Sequence, residues 1–433
     1  MRTESMTVTI VLIIFLIGLA IRIPVVFALM IASAGYMLFF SSVPLAALTH
    51  RFSGSLQSFP ILALPLYVLV AEVMNDSRCS EEMFAFVKKL FGHVTGSVAH
   101  ASVAADMIFA GITGTLTAET AGLGAIEIPQ MTNAKYDKPF AAAVVGSASV
   151  LGPIIPPSVP MIMIAMISGE SIARLFMGGF IPGIMIGLGL MVVVYIIARK
   201  RNYPKEPKRA PFSEIWSSFV KAFPALMTPV IILGGMAFGI FTPTEAAVVA
   251  VMYAYVLGFF VYKSLRISNI PQQLLRTGAT TGLVLAIMGA ASVFGWVMTL
   301  ENIPNFLRDT IVGYTSDPRV VIFLFIILFL ILGCFFDIGA ILLVITPMVI
   351  PIVKAYRINM IHFGVMETVV VCFGFLTPPF GVGLFILNKI TGLTVQEIVK
   401  ALLPFFIPIL VVIFLMAYIP GIVTFLPNLL MSK

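Results

Sequence analysis

Charge is scarce in this sequence. Only 10% of its 433 residues are Asp, Glu, Lys or Arg, against about 25% in an ordinary soluble domain. With 60% hydrophobic residues and a mean hydropathy of +1.09, that scarcity excludes a sizeable soluble domain and leaves a polytopic helical membrane protein. Cysteine is nearly absent as well: Cys79, Cys334 and Cys372 stand far apart, so no disulfide framework is expected. The four histidines show no metal-ligand spacing, and His93 and His100, seven apart, read as an interfacial pair. No Gly-x-x-x-x-Gly-Lys-Ser/Thr run occurs, so the chain has no Walker A phosphate loop. No organic cofactor is expected, and energy must come from an ion gradient or from another chain. The net charge of +7 sits in loops between apolar runs, which is the pattern of topogenic charge facing the cytoplasm. No nucleic-acid partner is expected.

What the sequence does have is proline in the wrong place for a simple membrane helix. Gly146–Pro160 reads Gly-Ser-Ala-Ser-Val-Leu-Gly-Pro-Ile-Ile-Pro-Pro-Ser-Val-Pro inside an apolar run. Pro153, Pro156, Pro157 and Pro160 each remove a backbone donor and clash with the preceding turn. Backbone released in this way at membrane depth is tolerated only inside protein or along a cavity. A second break, Phe375-Leu-Thr-Pro-Pro-Phe-Gly381, lies in another apolar run downstream. Paired breaks in matching positions of two halves point to a transporter's binding site.

The rest of the chain falls into two copies of one plan. A full span needs about 20 apolar residues. In the first half, Met6–Ile21, Pro24–Phe40 and about Gln57–Asn75 qualify. Met6–Ile21 lacks a small-x-small cleavage pattern and is read as a retained helix rather than a signal peptide. Asp76–Phe91 is charged on one face and apolar on the other, as expected of a helix on the membrane surface. Two short apolar segments about Gly111-Ile-Thr-Gly-Thr-Leu-Thr117 predict a re-entrant hairpin over about 97–131. The broken span covers about 140–167, and Ile172–Ala198 crosses again. In the second half the spans are Phe223–Ile240, Ala246–Tyr262 and Thr277–Met298, followed by a surface segment at Leu300–Pro318. A second hairpin is expected over about 319–353, a second broken span over about 362–387, and a last span at Ala401–Tyr418.

The expected fold is therefore all-α, with repeats at 1–198 and 213–433 joined by a basic cytoplasmic linker at 199–212. Each hairpin returns to its own side, so each half crosses an odd number of times and the halves are inverted. With the Arg199–Arg209 loop inside, 18 of the 26 Lys and Arg residues fall on the cytoplasmic side, in keeping with the positive-inside rule. Both termini are then external.

Helix ends at hairpin tips and breaks supply the chemistry. A helix N-terminus attracts carboxylates; a C-terminus, unwound carbonyls and neutral hydroxyls are hard ligands for a dehydrated alkali cation. Thr113, Gly114, Thr115 and Thr117 stand at the first tip, and Ser147, Ser149, Gly152, Pro156 and Ser158 at the first break. Asp337 and Gly339 stand at the second tip, and Gly374 and Thr377 at the second break. Each half thus has the groups for one Na+ site, with an organic anion between them. Ser and Thr in membrane helices also serve close packing, and for Ser147 and Ser149 that role is at least as well supported. Intramembrane acids are functional candidates by default: Asp106, Glu119, Glu127, Asp337 and Glu367. Glu119, at the start of a hairpin helix, also complements its dipole, and Arg174 either meets an anion or marks a span boundary.

These residues resemble a known family. Gly152-Pro-Ile-Ile-Pro-Pro-Ser158, Phe241-Thr-Pro-Thr-Glu-Ala-Ala247, Leu376-Thr-Pro-Pro-Phe-Gly381 and Tyr136-Asp-Lys-Pro-Phe-Ala-Ala-Ala143 are similar to the large membrane subunit of tripartite ATP-independent periplasmic (TRAP) transporters, the DctM-like proteins. The resemblance covers nearly the whole chain. It implies an elevator-type, Na+-coupled importer of organic acids in a bacterial inner membrane, a small four-helix membrane subunit as partner, and a periplasmic protein that delivers substrate. The implied sodium ligands are Thr113, Gly114, Ser149, Gly152 and Pro156 in one half, and Asp337, Gly339, Gly374 and Thr377 in the other. Substrate contacts are expected at Thr115, Ser158, Thr377, Gly381 and Gly383. The sequence departs from the family at Thr113-Gly-Thr115, where Ser-Gly-Ser is common, and at Gly383, where many members have Asn.

A stand-alone divalent-anion/Na+ symporter with similar inverted repeats is the alternative. An intramembrane enzyme is disfavoured, because the breaks hold no paired acid and base and no nucleophile set.

Overall fold

The computed structural model describes residues 10–431 apart from 19, 20, 22, 58 and 206–208. Residues 1–9 of the expected first repeat, 432–433 of the second and 206–208 of the linker lie outside the described residues. Every regular element among those described is helical.

The first half runs α1 (residues 10–18), α2 (Val25–Phe39), α3 (Ala46–Ser55), α4 (Ala63–Asp76), α5 (Cys79–Phe91), α6 (Ser97–Thr113), α7 (Leu116–Asn133), α8 (Lys138–Ala148), α9 (Val159–Ser168) and α10 (Ile172–Lys200). The second half runs α11 (Phe212–Ala237), α12 (Pro243–Val256), α13 (Ile270–Leu300), α14 (Ile303–Tyr314), α15 (Pro318–Phe335), α16 (Ile338–Ala355), α17 (Met360–Gly374), α18 (Val382–Thr391), α19 (Val395–Tyr418) and α20 (Gly421–Leu430). The order of elements is the same in both: spans, an amphipathic helix (α5, α14), a helical hairpin (α6–α7, α15–α16), an interrupted helix (α8/α9, α17/α18) and a final long helix (α10, α19).

Local chemistry accounts for these boundaries. Thr242-Pro-Thr-Glu245 starts α12 with a reciprocal capping box: Glu245 N–H donates to the Thr242 hydroxyl, and Thr242 N–H to the Glu245 carboxylate at 2.8 Å. Thr394 and Glu397 repeat the device at the start of α19. Each box satisfies backbone donors that the first turn would leave open. In α5 the apolar face buries Cys79, Met83, Phe84 and Val87, a helical spacing that seats it on α6 and α11 with Glu81, Lys88 and Lys89 turned outward.

The structure corrects two expectations. The expected third span, about Gln57–Asn75, is a 3-10 turn at Phe59–Leu62 followed by α4, and α3 precedes it where no element was expected, whereas its counterpart α13 is one helix of 31 residues. Ala401–Tyr418 is not the last helix: the chain turns at Pro420 into α20, and Arg174 of α10 donates to Asn428 Oδ1 at 2.9 Å.

Helices α2, α3, α4, α11, α12 and α13 pack on one another as one group, while the hairpins and interrupted helices pack with α10 and α19. Within that second group the halves interlock. The segment after each break lies on the other half's hairpin, α9 on α16 and α18 on α7. Among the described residues, seven helices are long and apolar enough to cross a membrane.

Candidate functional site

The hairpin tips and the helix breaks come together, each tip on the break of its own half. At the first tip, α6 ends at Gly114 in the left-handed region, φ 62°. The Gly114 carbonyl accepts from Val159 N–H at 3.1 Å, and a side chain at Gly114 would run into the Pro157 carbonyl. Glycine is required there on both counts. At the second tip the Cys334 carbonyl accepts from Phe380 N–H at 3.2 Å. Gly333 and Gly374 bring α15 and α17 into backbone contact, since a Cβ on Gly333 would stand 2.9 Å from the Gly374 Cα. The Pro156-Pro157 and Pro378-Pro379 bonds are both cis.

A cavity of about 450 Å³ lies where the tips meet the first group of helices. Thr115, Leu116 and Thr117 of the first tip, Pro153, Val159, Pro160 and Met163 of the first break, and Asp337, Ile338, Gly339 and Leu343 of the second hairpin form one wall. Pro24–Val26, Val68 of α4 and Thr280, Leu283, Val284 and Ile287 of α13 form the other, and Phe375 is the one contribution of the second break.

On the hairpin side of this cavity three helices begin, and their caps differ. Ser158 caps α9: its hydroxyl accepts from Met161 N–H at 3.2 Å and donates to the Pro153 carbonyl at 2.5 Å. Asp337 caps α16, its carboxylate accepting from Gly339 N–H at 2.9 Å. Thr115 precedes α7 in an extended conformation and makes no side-chain cap. The first N–H groups of α7 therefore have no side-chain acceptor, and an uncapped helix start is a ready site for a carboxylate.

The other expected residues have definite places. The Thr113 hydroxyl donates to Glu119 Oε1 at 2.8 Å across the first tip. The Glu119 carboxylate lies against Gly152, where a Cβ would stand 2.6 Å from its Cδ. Glu119 thus bridges the first tip to the first break. Ser149 donates to the Gly146 carbonyl at 2.9 Å and accepts from the Thr120 hydroxyl at 2.8 Å, so both act in packing α7 on the break; Ser147 donates into its own helix at 2.7 Å. Thr377 donates to the Phe373 carbonyl at 3.0 Å. Gly381 lies against the carbonyls of Phe375 and Thr377, and Gly383 against the Phe375 ring. Ser158, Thr377, Gly381 and Gly383 do not line the cavity, whereas Thr115, Asp337 and Gly339 do.

Of the remaining acids, Asp106 and Glu127 are buried between α6 and α7 with carboxylate oxygens that have no hydrogen-bond partner. Glu367 accepts from the Thr346 hydroxyl at 2.5 Å. Sequence reasoning missed the α13 wall altogether. Thr280-Thr-Gly282 was its only local signal, a polar step inside an otherwise apolar helix.

The basic linker is anchored outside the apolar helices. The Asp137 carboxylate accepts from Arg201 Nη1 and from the Tyr203 hydroxyl, each at 2.7 Å, and the Tyr136 and Tyr203 rings meet at a tilt with their centroids 4.5 Å apart. Burial, with help from the Asp137 bond, holds the Tyr203 phenol above its ordinary pKa.

Comparison with known proteins places this arrangement. The family model described as the tripartite ATP-independent periplasmic transporter, DctM component, matches residues 12–422. The sialic acid TRAP transporter permease protein SiaT of Haemophilus influenzae is 38% identical over 99% of this chain and 70% of its own length. The large permease protein SiaM of Vibrio cholerae is 36% identical over 94% of this chain and 96% of its own. The C4-dicarboxylate large permease DctM of Pseudomonas aeruginosa is 35% identical over 90% and 92%. In fold, the chain is similar to the YdaH transporter of Alcanivorax borkumensis, with a TM-score of 0.64 at 15% identity, covering 86% of this chain and 87% of that one.

Proposed function

The chain belongs to the DctM component family of tripartite ATP-independent periplasmic transporters, a multi-pass membrane transport subunit and not an enzyme, and from that premise we propose that it imports an organic acid with Na+ as the coupling ion. The observation that carries the reading is the shared cavity, in which both hairpin tips and the first break face one volume of about 450 Å³. Such a volume falls within the range of small-molecule sites, about 300–1,000 Å³.

The substrate carboxylate docks at the open start of α7, beside the Thr115 and Thr117 hydroxyls. The coupling ions lie at the helix ends next to it: one among Thr113, Gly114, Ser149, Gly152 and Pro156, the other among Asp337, Gly339, Gly374 and Thr377. Glu119, hydrogen-bonded to Thr113 and in contact with Gly152, offers the first ion a countercharge. These sites suit a monovalent ion held mostly by hydroxyls and carbonyls, with one carboxylate at each, Glu119 at the first and Asp337 at the second.

The repeats, 1–198 and 213–433, lie oppositely in a bacterial inner membrane with both termini outside, and the hairpins are re-entrant. Support comes from tips bonded to breaks rather than lying free: the Gly114 carbonyl accepts from Val159 N–H and the Cys334 carbonyl from Phe380 N–H. The hairpins and interrupted helices move as a body against α2, α4, α12 and α13, carrying the cavity across the membrane. A small membrane subunit holds those scaffold helices, and a periplasmic binding protein presents the substrate.

The test is uptake into proteoliposomes holding the chain with its small subunit and binding protein. An inward Na+ gradient is expected to drive accumulation of the organic acid. Equal uptake driven by a proton gradient alone would remove Na+ from the scheme.

A further inference from the structure

The cavity's walls say more about the substrate than its carboxylate. Among the described residues, its polar side chains are Thr115, Thr117, Thr280 and Asp337. One of these, Asp337, already caps α16 through Gly339 N–H. Thr115 and Thr117 belong to the tip where the carboxylate docks, which leaves Thr280 as the single hydroxyl for the rest of the molecule.

Every other described side chain on the walls is apolar. Leu283, Val284 and Ile287 present one face of α13, spaced three and four residues apart so that they line up along the helix. Met163, Ile338 and Leu343 stand on the hairpin side, and Phe375 is also on the wall. A substrate rich in hydroxyls would lose its water there and gain few side-chain donors or acceptors in exchange, and unmatched polar groups are costly to bury. An apolar chain in the same place gains from leaving water.

We propose that the cavity selects a monocarboxylate with an apolar, hydroxyl-poor body, its carboxylate at the first tip and its body along the Leu283–Ile287 face of α13. This rests on the organic-acid reading above and narrows it to one substrate class.

The experiment measures binding to the purified full chain in Na+ buffer, by calorimetry, with three probes. They are 4-methyl-2-oxopentanoate, D-gluconate and the uncharged 4-methyl-2-oxopentanamide. The first and second share one carboxylate and differ in the body; the first and third share the body and differ in charge. The branched oxo acid is expected to bind at least roughly tenfold more tightly than gluconate, the discrimination that a single methylene in an apolar pocket can supply, and the amide is expected not to compete. Leu283→Asn, on a wall position exposed to the cavity, is expected to narrow the gap between the two acids while leaving the melting temperature unchanged.

Gluconate binding as tightly as the oxo acid overturns the apolar class and leaves the organic-acid reading standing. The amide binding as tightly as the oxo acid overturns the carboxylate reading instead. Absence of binding by all three at millimolar concentration also overturns the apolar class, while uptake of any carboxylate by the reconstituted three-component system judges the parent reading separately.

Discussion

Two glycines show at residue scale how much a single position depends on its surroundings. Gly114 has a positive φ, and a Cβ would enter the Pro157 carbonyl. Gly278 lies in α13 with open space around it. Gly114→Ala is expected to destabilise by about 2 kcal/mol or more, from the left-handed backbone and the clash together. Gly278→Ala is expected to be neutral or slightly stabilising, because alanine is the better helix former by about 1 kcal/mol. Melting temperatures of the two variants in the same detergent check the pair, and a Gly114→Ala protein as stable as the parent would contradict the close tip contact. The sequence marked Gly114 as part of a flexible tip. It did not indicate that the carbonyl waiting there belongs to Pro157, because that contact joins a hairpin tip to a helix break far along the chain.

The three helices that begin on the hairpin side of the cavity set the predictions at the scale of elements. Ser158→Ala removes the cap of α9 and the bond to Pro153, and is expected to cost about 1–2 kcal/mol. Ser158 is off the cavity wall, so substrate affinity of the folded variant should remain close to that of the parent. A large affinity loss at unchanged melting temperature would assign the hydroxyl to the substrate instead.

Asp337 separates cap from charge. Asp337→Asn keeps an oxygen for Gly339 N–H and should melt with the parent, while its half-saturating Na+ concentration rises roughly tenfold or more, equivalent to about 1.4 kcal/mol of lost ion attraction. Asp337→Ala loses both and should also melt lower. An Asn variant with unaltered Na+ dependence would leave Asp337 with a capping role alone. The capped starts were legible in the sequence as Ser or Asp before an apolar run. That α7 stays uncapped was not, because Thr115 is as good a capping residue type as Ser158.

At the scale of the whole molecule, the decisive claim is the opposite orientation of the two halves. With Cys79, Cys334 and Cys372 replaced, a single cysteine at Lys205 is expected to react with a membrane-impermeant maleimide only from the cytoplasmic side. One at Lys354 is expected to react only from the outside. Labelling of both from the same face would require a different course for at least one hairpin. The order of elements was readable in advance because it is written in local signals: proline pairs, glycine and threonine turns, amphipathic periodicity and runs of apolar residues. The final helix α20 escaped because ten residues after Pro420 are too few to register as a span.

The sequence alone determined that this chain lives in a membrane, that two of its helices are broken, and that each break has a hairpin beside it. Those properties follow from residue type and spacing, which act over a few turns of chain. Only the tertiary structure decided that the first tip, the first break and the second tip open onto one cavity, that the second break offers it little beyond Phe375, and that α13 closes it with an apolar face. These depend on the approach of segments separated by hundreds of residues, where close packing rather than local propensity selects the partner.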